Sequence, residues 1–288
     1  MYVFIINPVA GSGKTLRIMG RLVQYMRKHG IHYTVLATEE PGQATILAKH
    51  VARIGKADAV IAVGGDGTVF ESACGLMGTD MPLGIIPAGT GNDFIKTVGI
   101  PKKSRDALEF IISHKARPID IGKAGDRFFM NVCGTGFDVD TLHKAEPIKK
   151  VFHHGMMPYM FGVARAISSY RPTHLKIDAD GEIIEGDYFI AAFGNAQYYG
   201  GGLRVCPKAV PDDGMLDLVL IGDAPKRLLP YGLYKLKIGD TSHRLFMTRR
   251  CREYHIMREE IEMDLDGDCF KMSEPVIKAM PHALKLFW

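Results

Sequence analysis

Two glycine-rich loops and the carboxylates within them are the residues of this chain whose types and spacing suit chemistry. The apolar run Ala59–Val63 leads directly into Gly64-Gly-Asp-Gly-Thr68, and Gly89-Thr-Gly-Asn-Asp-Phe94 follows. Glycines let backbone N–H groups approach a polyphosphate closely, and Asp66 can hold the magnesium ion or water that accompanies it. The two loops therefore predict a nucleotide site.

A third loop of small residues, Asn7 to Thr15, follows the first apolar run of the chain. It ends in Gly-Lys-Thr like a P-loop, but Pro8 stands where that motif requires its first glycine. A strand-to-helix turn still offers amide donors and a positive dipole end to an anion. We expect phosphate binding here without a Walker A motif, and a tight turn without a ligand is the alternative.

The elements that must position these loops change in type near Pro118. Before it, short apolar runs alternate with helical periodicity, which predicts a parallel sheet covered by helices on both faces. After it, alternating strands and turns such as Asp180-Gly181 and Asp266-Gly267 predict antiparallel hairpins, interrupted by helical stretches at about 156–170 and 225–239. We expect an α/β domain over 1–120, a mostly β domain over 121–288, and a cleft between them.

Composition narrows the classes of function. The 36 basic and 32 acidic residues give a net charge of +4, which is too balanced for a protein that coats nucleic acid but leaves an anionic membrane surface open. The 5 cysteines show no C-x-x-C spacing, so neither a disulfide framework nor a zinc site is predicted. The apolar amino terminus lacks the features of a signal peptide, and no run reaches the length of a membrane span. We therefore expect reduced thiols and a cytoplasmic location.

Taken in order along the chain, the motifs resemble the diacylglycerol kinase catalytic family, which includes sphingosine kinases and bacterial soluble lipid kinases. Besides Asn7-Pro-x-x-Gly11 and the two glycine loops, the motifs are Thr38 with Pro41-Gly-x-Ala44, Ile119-Asp-Ile-Gly122, Gly134-x-Gly136, Asp212-Asp-Gly-Met-Leu-Asp217 and Asp266-Gly-Asp268. The resemblance covers the whole chain. It implies a first domain like those of NAD kinases and phosphofructokinases, and a second that is an antiparallel sandwich with two helical insertions. The implied activity is ATP-dependent phosphorylation of a lipid hydroxyl, with diacylglycerol as the favoured acceptor and phosphatidic acid as product.

The resemblance also implies a set of nucleotide-binding positions. They are Asn7, Pro8, Val9, Ala10, Gly11, Thr38, Gly64, Gly65, Asp66, Gly67, Thr68, Val69, Phe70, Glu71, Thr90, Asn92 and Asp93. Backbone amides and short hydroxyls at most of these positions suit phosphate contact. Core packing is an equal alternative for Thr38, and Glu71 fits only through a metal ion or the adenosine end of the ligand.

Catalysis in the family points to three carboxylates. Asp268 corresponds to the presumed base, where relatives commonly carry glutamate, and a turn aspartate bonded to its own backbone is the alternative. Asp66 and Asp120 correspond to a network of magnesium and water at the phosphates. A structural magnesium ion would map to the carbonyls of Val210 and Met215 and to the Asp213 carboxylate, although Val210 departs from a carboxylate found in some relatives.

Contact with the membrane is expected to be peripheral, at its inner face. The stretch 149–161 joins lysines to methionines and aromatic residues, which suits an interfacial helix, although a core helix is the more ordinary interpretation. The basic residues Lys235, Lys237, Arg249, Arg250 and Arg252 could add a face toward anionic lipid or simply form a solvated surface. We expect no nucleic-acid partner, and a homodimer is the oligomer expected on general grounds.

Two other functions stay open at this point. An NAD kinase-like enzyme also uses a Gly-Gly-Asp-Gly loop but phosphorylates a soluble dinucleotide, and a non-catalytic sensor would bind ATP without turnover. The segment Gly89–Phe94 favours the lipid kinases.

Overall fold

The computed structural model describes residues 1–11, 13–149, 172–222 and 224–288. These residues form two compact units, Met1–Asp120 with Pro281–Trp288, and Ile121–Met280. The helical stretch predicted at 156–170 lies outside the described residues, as does the 149–161 stretch beyond its first residue.

The first unit is built on parallel strands in the order β4-β3-β1-β2. The strands are β1 (Tyr2–Ile6), β2 (Tyr33–Ala37), β3 (Ala59–Gly64) and β4 (Leu83–Pro87). The helices are α1 (Lys14–Lys28), α2 (Gln43–Ile54), α3 (Asp66–Leu76), α4 (Asp93–Val98) and α5 (Ser104–Ser113). Every residue of β3 and β4 is buried, which is the burial that continuous apolar runs predict for strands covered on both faces.

The second unit is mostly antiparallel. Its strands are β5 (Arg117–Ala124), β6 (Arg127–Phe129), β7 (Val132–Gly136), β8 (Thr173–Ala179), β9 (Glu182–Gly194), β10 (Tyr198–Tyr199), β11 (Leu203–Arg204), β12 (Leu216–Gly222), β13 (Phe246–Cys251), β14 (Glu253–Ile256), β15 (Ile261–Leu265), β16 (Asp268–Met272) and β17 (Val276–Leu286), with β5 and β17 each running from one unit into the other. Its helices are α6 (Phe137–Lys149), a 3-10 turn (Lys226–Leu228) and α7 (Leu229–Ile238). The main sheet order is β16-β15-β7-β9-β8-β14-β17, and β12 pairs with both β9 and β13.

The central strands of the second unit bury both faces. Along β9, Ala191 and Phe193 enter one apolar core, whereas Ile190 and Ala192 enter the other. Because side chains alternate across a strand, β9 needs apolar residues at every position between the two cores. Tyr254 belongs to the first core, and its hydroxyl is satisfied by the carbonyl of Leu216 at 3.0 Å.

The end of the chain departs from the predicted domain limits. Residues 281–288 belong to the first unit, where Leu286 of β17 pairs in parallel with Leu83 of β4. Burial of Leu284 and Leu286 at 1% and 0% exposure explains why this segment is part of that core. The strand was hard to predict because Pro281 removes a backbone donor and His282 takes a positive φ of 55° in its middle.

The sequence analysis also did not predict α6. Its buried polar residues Asp138 and Thr141 interrupt the apolar repeat that would have indicated a helix. Among the helices of the described ranges, none combines the length and the apolar character needed to cross a bilayer.

Candidate functional site

Three loops of the first unit meet at one edge of its sheet. They follow β1, β3 and β4, which are neighbouring parallel strands. Backbone bonds join the loops, since Asn7 N donates to Val63 O at 3.4 Å and Ala88 N donates to Gly64 O at 2.8 Å. The chain passes from β1 outward to β2 on one side and returns to β3 on the other. The carboxyl edge at such a switch point is where open α/β sheets bind ligands.

Most glycines of these loops are required by packing of loop against loop. A Cβ added to Gly89 would lie 2.4 Å from the Cα of Gly65, and one added to Gly11 would lie 2.5 Å from the carbonyl oxygen of Ala88. Gly67 differs, because a Cβ there would meet no atom of the described residues within 4 Å. The missing side chain of Gly67 leaves open space at the mouth of a cavity rather than room for another loop.

The cavity has a volume of about 400 Å³. Its lining includes seven of the predicted nucleotide-binding positions together with four others, of which two belong to the motif that follows Thr38. The predicted seven are Asn7, Pro8, Val9, Thr38, Gly67, Thr68 and Glu71, and the others are Glu39, Glu40, Pro41 and Ala44. The volume lies within the usual range for small-molecule sites, so the loops enclose a space of a size that suits part of a nucleotide.

Contacts within the structure explain two lining residues whose roles were open. Thr38 Oγ1 donates to Ile6 O at 3.4 Å while the residue still borders the cavity. Glu71 Oε2 accepts from Ala44 N at 3.2 Å, which fixes the start of α2 against α3. Both side chains therefore combine a structural contact with a place in the cavity wall.

Asp66 holds the second glycine loop in place. Its Oδ2 and Oδ1 accept hydrogen bonds from Asn92 N and Asp93 N, each at 2.8 Å. Burial, followed by the neighbouring Asp93 carboxylate, raises the pKa of Asp66, and the two amides oppose that rise. Asp93 in turn pairs with Lys96 at 2.6 Å. Two adjacent carboxylates of this kind offer the oxygen donors that a hard cation prefers.

The other predicted positions of the first unit do not line the cavity. These are Ala10, Gly11, Gly64, Gly65, Asp66, Val69, Phe70, Thr90, Asn92 and Asp93. Val69 is 6% exposed and packs in the core, whereas Thr90 is exposed. Asp120 is fully buried, and its Oδ1 accepts from His282 N at 2.8 Å, so the observed contact of this carboxylate holds the carboxyl-terminal segment.

In the second unit, the turn Asp266-Gly267-Asp268 is rigidly held. The Asp266 carboxylate accepts from Met130 N at 2.6 Å, Asn131 N at 2.9 Å and Val132 N at 3.1 Å. Burial raises the pKa of Asp266 to about 6 even though these amides oppose the rise. Asp268 begins β16 and is exposed, so its carboxylate is presented to solvent from a fixed backbone.

Behind this turn lie two buried carboxylates that the sequence analysis missed. Asp138 and Asp264 are each 3% exposed. Burial raises the pKa of Asp138 to about 7, and burial with the nearby Asp138 charge raises the pKa of Asp264 well above its ordinary value. Asp264 Oδ1 accepts from Gly267 N at 2.6 Å and so braces the turn. The signal that could have found Asp138 is Gly134, where a Cβ would lie 2.0 Å from Asp138 Oδ2.

The loop predicted to bind a structural metal ion forms an ion pair with an arginine of β13. Asp213 Oδ1 accepts from Met215 N at 3.0 Å, and its Oδ2 forms an ion pair with Arg250. Arg250 Nε also lies 3.5 Å from Asp217 Oδ2. The Asp213 carboxylate of this loop is thus paired with a guanidinium group, and the structural magnesium site stays a prediction.

Comparison with known proteins agrees with these features. Residues 1–124 match the diacylglycerol kinase catalytic domain, and residues 131–288 match the YegS C-terminal NAD kinase beta sandwich-like domain. A diacylglycerol kinase of Mycobacterium tuberculosis is 32% identical over 97% of this chain and 92% of its own length. The diacylglycerol kinase of Bacillus subtilis is 30% identical over 92% of this chain and 88% of its own length. This chain belongs to the diacylglycerol kinase family.

A solved structure supports the same family for the fold. The crystal structure of a diacylglycerol kinase from Bacillus anthracis aligns with a TM-score of 0.75 and 25% identity, covering 100% of this chain and 96% of that chain. The family resemblance of the sequence and its predicted fold class, a parallel α/β domain followed by a mostly antiparallel β domain, are therefore confirmed. The relatives of this chain are named diacylglycerol kinases and YegS-like lipid kinases, so the chain is related to kinases.

Proposed function

We propose that this protein transfers the γ-phosphate of ATP to a lipid hydroxyl, with diacylglycerol as the favoured acceptor and phosphatidic acid as product. The observation that carries the proposal is the cavity at the carboxyl edge of β1 and β3, lined by the loops that match the family's catalytic domain. ATP is assigned to this cavity and to the first turn of α3, where amide groups and the helix dipole favour phosphate.

The residues of the first unit bind and orient the nucleotide. Gly67 and Thr68 offer backbone amides and a hydroxyl group beside the cavity, and the open space at Gly67 allows close approach of the ligand. Asp66 keeps the Asn92–Asp93 loop in position through its two amide contacts. Magnesium would be held with the phosphates near the Asp66 and Asp93 carboxylates, and it would offset charge in the transition state.

In the second unit, we assign proton acceptance to Asp268. Its backbone is fixed because Asp266 accepts three amides and Asp264 accepts Gly267 N. A base on a rigid turn keeps its geometry without paying an ordering cost at each turnover. The carboxylate would take the proton of the acceptor hydroxyl as the phosphoryl group moves to the oxygen.

The lipid is reached at a membrane surface, and α7 offers the apolar face that this requires. Tyr231, Tyr234 and Ile238 lie on one side of the helix with exposures of 39%, 57% and 50%. Lys237 is exposed beside them, whereas Lys235 is ion-paired with Asp240 at 2.6 Å. Exposed aromatic and aliphatic residues beside a lysine are typical of an interfacial helix. Co-sedimentation with anionic vesicles should fall for Tyr234→Ser with Ile238→Ser, and unchanged sedimentation would remove α7 from this role.

The experiment that tests the function is transfer of label from γ-labelled ATP to a panel of acceptors, with magnesium present. The panel contains diacylglycerol, a sphingoid base, phosphatidylglycerol, undecaprenol and NAD, each lipid in mixed micelles. Labelled phosphatidic acid is the expected product. Labelled NADP without a lipid product would overturn the proposal in favour of an NAD kinase, and ATP binding without any transfer would favour a sensor.

A further inference from the structure

Three side chains of types that bind metals meet in the second unit. They are His143 of α6, Glu262 of β15 and Cys269 of β16, and one donor atom from each lies within 4.8 Å of the others. His143 Nε2 is already 2.9 Å from Glu262 Oε1. The sequence predicted no zinc site, because His143 and Cys269 are far apart in the chain and show no short ligand spacing.

The fold brings these residues together through strand register. Asp264 lies opposite Cys269, so Glu262 and Cys269 are diagonal neighbours on one face of the β15–β16 hairpin. Helix α6 packs on β15, and Thr135 Oγ1 holds the Glu262 carbonyl at 2.7 Å. Strand β16 is the last strand of its sheet, so a bound ion would join α6 to the sheet edge.

The donor set selects the kind of ion. Imidazole nitrogen, thiolate sulfur and carboxylate oxygen together favour zinc or a similar transition metal, whereas magnesium prefers oxygen alone. Tetrahedral zinc places its ligand atoms roughly 3.3–3.6 Å from one another. The His143–Glu262 pair at 2.9 Å would therefore separate slightly, and donor atoms that lie up to 4.8 Å apart would move closer. His143 is 50% exposed, which leaves an entry path and room for water as a fourth ligand.

Charge around the cluster also favours a cation. Besides Glu262, the carboxylates near the Cys269 thiol are Asp264, Asp138 and Asp268. The closest lysine on the hairpin face, Lys271, points to Glu260 at 3.1 Å. A dication would offset this negative potential, and binding would release the thiol proton to the buffer.

We propose that His143, Glu262 and Cys269 form a binding site for zinc or a similar transition metal, adjacent to the turn that carries Asp268. Because Cys269 follows Asp268 directly, an ion there would bind at the start of β16. Metal binding itself does not rest on the proposed function.

The test uses the full chain, freed of metal by chelation, and cobalt as a spectroscopic probe for zinc. Cobalt should give thiolate-to-metal charge-transfer absorption in the parent protein and in Cys74→Ser, another half-buried thiol, but not in Cys269→Ser. Calorimetric zinc titration should show binding weakened roughly 100-fold or more in Cys269→Ser and in His143→Ala, since loss of even an outer partner weakens metal sites 10–100-fold. Thermal unfolding of each variant checks the fold, and the half-exposed His143 gives a second variant if Cys269→Ser is unstable.

Unchanged zinc affinity in both variants, or cobalt absorption without a thiolate band, would overturn the site. Absence of lipid transfer would count against the proposed function while leaving the spectra and titrations interpretable.

Discussion

At the scale of single residues, two hairpins of the second unit share one turn geometry but differ in the acidic residue that follows the turn. Asp180-Gly181-Glu182 and Asp266-Gly267-Asp268 both place an aspartate and a glycine at positive φ, 50° and 94° in the first and 53° and 104° in the second. Asp180 accepts from Arg252 N at 3.0 Å and Glu253 N at 3.1 Å on the exposed surface. Glu182 therefore occupies the same position in its hairpin as Asp268 does and is a suitable control for it.

Asp268→Asn should abolish most transfer, because an amide cannot accept the hydroxyl proton. We expect the turnover number to fall about 10²–10⁴-fold with ATP affinity unchanged. Glu182→Gln, at the same place in the other hairpin, should keep parental turnover. Steady-state kinetics with a lipid acceptor decide this, and equal turnover for Asp268→Asn and the parent would remove the base assignment.

Gly67→Ala should weaken ATP binding without lowering stability. The new methyl group enters the cavity beside the predicted phosphates, while nothing in the described fold obstructs it. We expect ATP affinity to fall by about tenfold, which corresponds to about 1.4 kcal/mol. Gly20→Ala in α1, also free of neighbours within 4 Å, serves as the control. Calorimetric ATP titration measures the difference, and equal affinities would place the nucleotide elsewhere.

The same residues show what sequence could and could not predict about the site. The loops were found because glycine-rich turns after buried strands are local signals, and five of their positions, Asn7, Pro8, Val9, Gly67 and Thr68, do line a cavity. Asp138 and Asp264 were missed because their proximity depends on α6 packing over the β15–β16 hairpin. Likewise, no spacing along the chain indicates that His143 meets Cys269.

At the scale of elements, β13 carries two neighbouring arginines with different partners. Arg250 pairs with Asp213 and lies 3.5 Å from Asp217, which is mostly buried and whose pKa is raised by burial to about 6. Arg249, on the opposite face of the strand, pairs with Glu182 at 3.1 Å. Arg249 is therefore a suitable control for Arg250, the arginine that pairs with the predicted metal loop.

Arg250→Ala should make the protein responsive to magnesium. Without the guanidinium group, Asp213 and Asp217 repel each other, and a divalent cation can offset their charge. We expect the melting temperature of Arg250→Ala to fall, and millimolar magnesium to raise it more than it raises that of the parent or of Arg249→Ala. An equal magnesium response in all three proteins would contradict this.

Packing of α6 on the hairpin should make stability depend on pH through Asp138. Its folded pKa of about 7 exceeds the ordinary 3.8, so the folded state binds the proton more tightly than the unfolded state. This contribution is complete below about pH 4 and is lost as the pH rises toward about 7. Asp138→Asn keeps a neutral group at all pH values and should flatten the decline.

The measurement is the free energy of unfolding by urea at pH 5, 6, 7 and 8 with chelator present. We expect Asp138→Asn to gain stability relative to the parent as the pH increases. Asp140→Asn on the same helix, where the carboxylate pairs with Lys144, is the control. Parallel curves for Asp138→Asn and the parent would show that the buried carboxylate does not titrate in this range.

At the scale of the whole molecule, alternation of strand and helix was enough to predict a parallel α/β unit followed by a mostly β unit. The limit of the first unit was not predictable in the same way. Its last segment enters through β17, and Leu284 and Leu286 are buried in a core whose other residues lie in the first 120 positions. A hydrophobic pattern indicates only how residues close together in the sequence are arranged, whereas this core is completed by residues more than 150 positions away.

Leu286→Ala should therefore loosen the first unit rather than the second. Removing a fully buried leucine costs about 2–5 kcal/mol, and the loss falls where Leu286 pairs with Leu83. Hydrogen exchange should accelerate in β3 and β4 and stay unchanged in β9 and β12. Leu218→Ala, in the core of the second unit, should give the reverse pattern. Uniform acceleration in both units would indicate a single cooperative core.

The carboxyl-terminal segment also orders the events of synthesis. Residues 121–280 form a continuous unit, whereas the first unit combines Met1–Asp120 with Pro281–Trp288. Because synthesis proceeds from the amino terminus, the loops after β1, β3 and β4 are made well before the segment that pairs with β4. The sheet that carries these loops therefore depends on a segment translated after the whole second unit, and a chain interrupted before that segment would carry the loops on an incomplete sheet.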